Sequence, residues 1–133
     1  MARRNRFVKP KVVRVGISDG DWIEIKRELT VGERKRMFAA GLKQMQTGPN
    51  KDPKFDIDPV EMSFAKVKEY LVGWSFVEPV KEEEPEGDVS PVELTEESIR
   101  NLDEATFEEI EDAIDAHIEK LEKEKKATSA GRK

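Results

Sequence analysis

The spacing of apolar residues changes once along this chain, and that change fixes its fold class. Val13, Val15 and Ile17 sit at alternate positions, and Ile23 and Ile25 alternate with Trp22, Glu24 and Lys26. A spacing of two belongs to a strand with one buried face. Between the two runs, Ser18-Asp19-Gly20-Asp21 is turn chemistry, with Gly20 suited to positive φ. Residues 12–26 are therefore predicted to form a β-hairpin. From Thr30 onward the spacing becomes three and four, the period of helices. Two strands alone are marginal in water, so helices must cover one face. The predicted fold is α+β, mostly α: a short N-terminal β-hairpin packed on a small bundle of three main helices plus one short helix.

The helix starts are well signalled. Thr30 and Glu33 form a capping box, opening a helix predicted to run to about Gln46 with Phe38, Leu42 and Met45 on one side. Thr47-Gly48-Pro49-Asn50 ends it, and residues 51–57 read as loop. Asp58 suits an N-cap, Pro59 the first helical position, and Glu61 a second capping box. Val60, Phe64, Val67, Leu71 and Trp74 then recur at intervals of 4, 3, 4 and 3, one continuous helical stripe. Leu94 before Thr95 with Ile99, and Leu102 before Asp103 with Phe107, have the spacing of hydrophobic staples. The first opens a short turn of helix. The second opens a long helix over about 104–125, with Phe107, Ile110, Ile114, Ile118 and Leu121 as its stripe and Ala113 beside it.

The chain divides into a basic flexible arm (1–11), the hairpin with two helices (12–77), an acidic proline-containing linker (78–92), the short and long helices (93–126) and a frayed tail (127–133). At 133 residues this amounts to one domain with flexible ends. Residues 1–14 hold six bases and no acid, whereas 78–126 hold nineteen acids against six bases, a net of −13. Such asymmetry suits a docking arm or intramolecular attraction. A mobile basic arm would give only salt-sensitive, non-specific phosphate binding, and no recognition-helix pattern accompanies it. No stretch approaches the ~20 apolar residues of a membrane span or the h-region of a signal peptide. The absence of cysteine fits a reducing compartment and removes disulfides and thiolate chemistry.

Catalytic patterns do not emerge. The single histidine, His117, lies at the edge of the last helix's stripe and reads as a packed or surface imidazole. A Ser-His-Asp site would have to use it, with no nucleophile-elbow glycines near any serine. No glycine loop cradles phosphate. Asp52, Asp56 and Asp58 lack the central glycine and distal glutamate of a calcium loop, and Pro53 and Phe55 intrude. The chain reads as a binding protein rather than an enzyme, without cofactor or metal.

Four residues stand out as candidate partner contacts. Trp74, Phe76 and Val77 cluster at a helix end before the linker, where bulky apolar groups can be left accessible. Trp22 shares a strand face with Glu24 and Lys26 rather than with the isoleucines, and tryptophan on a polar face is a common interface anchor. The plain alternative is that the stripes of 60–74 and 107–121 pack on each other and the aromatics are only core.

In its ordered set of features the chain resembles the tail assembly chaperones of long-tailed bacteriophages. The features are the basic arm before Val12-Val13-Arg14-Val15, then Asp19-Gly20-Asp21-Trp22-Ile23-Glu24-Ile25-Lys26 leading into Leu29-Thr30-Val31-Gly32-Glu33. Tyr70-Leu71-Val72-Gly73-Trp74-Ser75-Phe76 follows ahead of a variable linker. Ile99-Arg100-Asn101-Leu102-Asp103 then leads to Thr106-Phe107-Glu108-Glu109-Ile110 and Ala113-Ile114-Asp115-Ala116-His117-Ile118-Glu119. The resemblance covers roughly residues 8–122. It implies a protein that keeps the tape measure protein soluble while tail-tube subunits polymerise, then leaves, so the mature virion would lack it. It implies the host cell cytoplasm as its location and the tape measure protein as partner, with the major tail tube protein as a second candidate. Neither specific nucleic acid nor membrane is implied, and homo-oligomerisation stays open. Members are commonly made in two lengths by a ribosomal frameshift, for which the lysine-rich end, Lys120 to Lys126, is the place to look. The alternative is a tail or neck completion protein retained in the virion.

Overall fold

The computed structural model describes residues 5–45 and 54–130. It is α+β, mostly helical, in keeping with the sequence reading. β1 (Val12–Gly16) pairs antiparallel with β2 (Trp22–Lys26) in the register Val13↔Ile25 and Val15↔Ile23. A short 3-10 turn joins them, with Asp19 and Gly20 at positive φ (59° and 77°). α1 (Val31–Gly41) begins at the predicted capping box: Thr30 Oγ1 accepts from the Glu33 amide at 3.1 Å, and Glu33 Oε1 accepts from the Thr30 amide at 2.9 Å. α2 (Pro59–Tyr70) begins where Asp58 accepts from the Val60 and Glu61 amides. α3 (Glu96–Arg100) and α4 (Glu104–Ala130) follow the predicted staples, capped by Thr95 and Asp103.

Five features differ from the sequence reading. The stripe of 60–74 is not one helix: α2 stops at Tyr70, and β5 (Leu71–Trp74) adds a third strand beside β2, giving the order β1-β2-β5. Ile23 pairs with Trp74 and Ile25 with Leu71, with one residue of β5 bulged between them. That bulge lets two residues three apart share a strand face, so the spacing imitates a helix. Gly73 lies opposite Glu24, where a Cβ would come within 3.1 Å of Glu24 Oε1.

α1 ends at Gly41 rather than near Gln46, because Leu42 turns extended and pairs with Ile57; Gly41 itself backs onto α2, where a Cβ would lie 2.5 Å from Met62 Cε. The chain leaves as β3 (Leu42–Met45), paired with β4 (Lys54–Ile57), a segment predicted as loop. The turn predicted at 47–50 and Asp52 lie outside the described residues. The acidic linker is partly ordered into a hairpin of β6 (Val77–Pro79) and β7 (Val89–Pro91). α4 outlasts its predicted end and reaches Ala130, so the first residues of the predicted tail are helical.

The core lies where the inner sheet face meets α2, α3 and α4. Ile23 and Ile25 from the sheet meet Val67, Ile110 and Ile114, and all five are fully buried. Leu29, Tyr70, Leu71, Trp74 and Ile99 complete it, with Phe64, Met37, Leu94, Leu102 and Phe107 at its margin. Val60 and Phe38, predicted as stripe residues, are 73% and 50% exposed. α1 instead turns Met37 inward and anchors itself by Arg36, whose Nε and Nη2 reach the two oxygens of buried Glu69 at 2.5 and 2.9 Å. Lys66 ties α2 to α4 through Glu111 (3.2 Å) and Asp115 (2.7 Å). His117 lies half-buried with Nε2 2.8 Å from the Arg27 carbonyl oxygen, the packed one of the two positions left open by the sequence.

Candidate partner-binding groove

The segment leaving β5 is held on both sides. Toward β2, the Ser75 amide donates to the Trp22 carbonyl at 3.0 Å, and Ser75 Oγ accepts from the Trp22 amide and donates to Asp21 Oδ1, both at 2.9 Å. Toward β7, Trp74 Nε1 donates to the Val92 carbonyl at 2.7 Å, and the Val92 amide donates to the Phe76 carbonyl at 3.0 Å. These bonds fix the direction in which residues 74–77 present their side chains. Trp74 points into the core and is 9% exposed, Phe76 packs on it with ring centroids 5.0 Å apart, and Val77 stands 52% exposed.

A groove of about 490 Å³ opens beside this segment. One wall is Trp74, Phe76, Val77 and Val92; the other is the connection from α3 to α4, with Asn101, Leu102 and Thr106. Its charged lining residues are all acids: Asp21, Glu78 and Asp103. The Thr106 backbone amide, 2.7 Å from Asp103 Oδ1, holds that carboxyl below its ordinary range. A volume of this order, with apolar walls and a few placed polar groups, accepts a few side chains of a partner.

The structure thus brings together three of the four candidate contacts and leaves the fourth apart. Trp74 contributes the inner end of the groove, and Phe76 and Val77 its wall. Trp22 lies half-buried on the outer face of the sheet, where the Arg14 guanidinium stacks 3.8 Å above its ring and Arg14 also pairs with Glu24. Its ring already has a cationic partner within the chain. Sequence reasoning missed the second wall. Leu102 and Asp103 read there as a staple and a cap, the cap is present, and Leu102 packs against the core, but nothing local indicates that this connection faces residues 74–78.

Among the described residues no three His, Asp or Glu side chains gather as a metal site. No helix of the described residues is long and apolar enough to cross a membrane. What fold and groove define together is a small α+β protein with an acid-rimmed recess of mixed apolar and polar lining. No family model, curated protein or solved structure matches the chain.

Proposed function

We propose that this chain is a tail assembly chaperone of the long-tailed bacteriophage kind, a non-enzymatic protein that binds the tape measure protein, keeps it soluble during tail tube assembly and is then released. The observation that supports this reading most is the open groove carrying Phe76 and Val77 at the base of the acidic hairpin. A holdase needs apolar contact for aggregation-prone segments and charge to keep the complex dispersed. The groove supplies the first. The hairpin supplies the second, with six acids against one lysine over residues 77–91.

Co-expression with a tape measure fragment tests the reading. The fragment should be recovered soluble only when this protein is present; equal solubility with and without it refutes the proposal. Mass spectrometry of purified particles should find the protein absent or strongly depleted. Retention at structural stoichiometry would assign it to the tail or neck instead.

A further inference from the structure

Resting on the partner-binding reading, we propose that the groove selects a basic amphipathic segment, with apolar anchors for its walls and lysine or arginine for its rim. The walls offer Phe76, Val77 and Leu102, while every charged lining residue is a carboxylate. None of these carboxylates is neutralised by a cation among the described residues. Asp21 accepts from the neutral Ser75 hydroxyl, Asp103 accepts from the Thr106 amide, and Glu78 is exposed without an ion pair. The nearby base on α3, Arg100, is already committed to Glu96 at 3.4 Å and to the Phe64 ring at 4.0 Å. The hairpin extends the same sign of charge beyond the rim.

An acidic or neutral segment of equal apolar content would leave these charges unmet, and an acidic one would be repelled over a Debye length of ~8 Å at physiological salt. A basic segment meets them without displacing any existing pair. Complementarity of this kind governs which partner is admitted and how fast it arrives. The chain's own basic arm leaves the sheet at the opposite end of β1, where Val12 pairs with Lys26, whereas the groove adjoins the end where Gly16 pairs with Trp22. Among the described residues the arm therefore starts away from the groove.

The test uses two labelled synthetic 15-residue peptides with identical leucine and phenylalanine anchors at helical spacing, one with lysines between them and one with glutamates. Fluorescence anisotropy should show the lysine peptide binding at least ~10-fold tighter than the glutamate peptide, with a preference that shrinks as salt is raised. Glu78→Lys and Val77→Asp, each verified as folded by circular dichroism, should each weaken the lysine peptide by about tenfold or more. Equal binding of the two peptides, or unchanged binding by both folded variants, overturns the proposal. So does self-association that disappears when residues 1–10 are removed while neither peptide binds, since the groove would then belong to the arm of a second copy.

The fate of the chaperone reading is separable. A Glu78→Lys protein that loses the lysine peptide yet still solubilises the tape measure fragment would overturn the groove's selectivity for that partner and leave the chaperone reading standing. A native protein that binds the lysine peptide but never solubilises the fragment does the reverse.

Discussion

Trp74 and Val77 are three residues apart and have opposite duties. Trp74 is buried, packs with Phe76 and uses its indole N–H on the Val92 carbonyl, so truncation removes a large core side chain. Trp74→Ala should cost about 3–5 kcal/mol of stability, read as a lower urea midpoint. Val77→Ala removes a half-exposed side chain and should change stability by about 0.5 kcal/mol or less while weakening partner capture. The pair of variants therefore separates core from contact. If Val77→Ala unfolds the protein or leaves capture unchanged, the wall assignment of Val77 is wrong. Arg36 makes a third single-residue case. Glu69 is held below the ordinary carboxylate range chiefly by its hydrogen bond from Arg36, against the opposing effect of its burial. Arg36→Ala strands that carboxylate on a buried face of α2. Because Arg36 itself is largely exposed, water takes over part of its role, so a modest drop in the urea midpoint is expected together with a rise in the Glu69 pKa measurable by NMR.

At the scale of the element, caps were legible and strand edges were not. A cap is local chemistry within four residues, so Thr30, Asp58, Thr95 and Asp103 could each be read directly and each accepts from the first turn of its helix, although the Asp58 amide donates to the Gly41 carbonyl instead of closing the predicted box with Glu61. Replacing Thr30 by alanine should cost about 1 kcal/mol, seen as a drop in thermal midpoint. β5 was hidden because its bulge gives Leu71 and Trp74 a helix-like spacing, and only the distant partner β2 decides between the two conformations. α1 was over-extended for a related reason. Its end is set where Leu42 turns extended to pair with Ile57, a contact between elements with no local signature, and Gly41 just before it packs against Met62 on α2. Gly41→Ala should destabilise by about 1–3 kcal/mol through the forced shift of Met62, and a Met62→Ala background should relieve part of that loss. The groove shared this limit. Its first wall was read from residues 74–77, whereas its second needed the packing of α3 and α4.

Charge acts at the scale of the whole molecule. Glu33 is brought to about 2, first by its hydrogen bond with Lys26 and then by the Thr30 backbone amide. Glu69, Glu96 and Asp103 are lowered as well, by Arg36, by Lys68 and by the Thr106 amide in turn. Carboxyls with a lower pKa folded than unfolded bind fewer protons in the native state. The stability they contribute is therefore complete above about pH 4.5 and is lost as pH falls toward 2. Urea midpoints should decline across that window, and Lys26→Met should flatten the part of the decline that belongs to Glu33. The alkaline side has its own markers. Burial alone would lower the Lys66 ammonium, but its bonds to Asp115 and Glu111 leave it raised, and burial raises the Tyr70 hydroxyl. Both contributions are complete below about pH 10 and fade above it.

The two bonds at Val92 have a consequence beyond the groove. They close the acidic hairpin at its base, so residues 81–88 hang from a clamp whose core contacts lie elsewhere. Doubling a flexible loop's length costs only about 0.6 kcal/mol of closure entropy. The tip is therefore an exchangeable cassette as far as the fold is concerned: its length can be engineered, with fluorophores or affinity tags inserted there, while the domain beneath keeps its shape and the acids keep their charge.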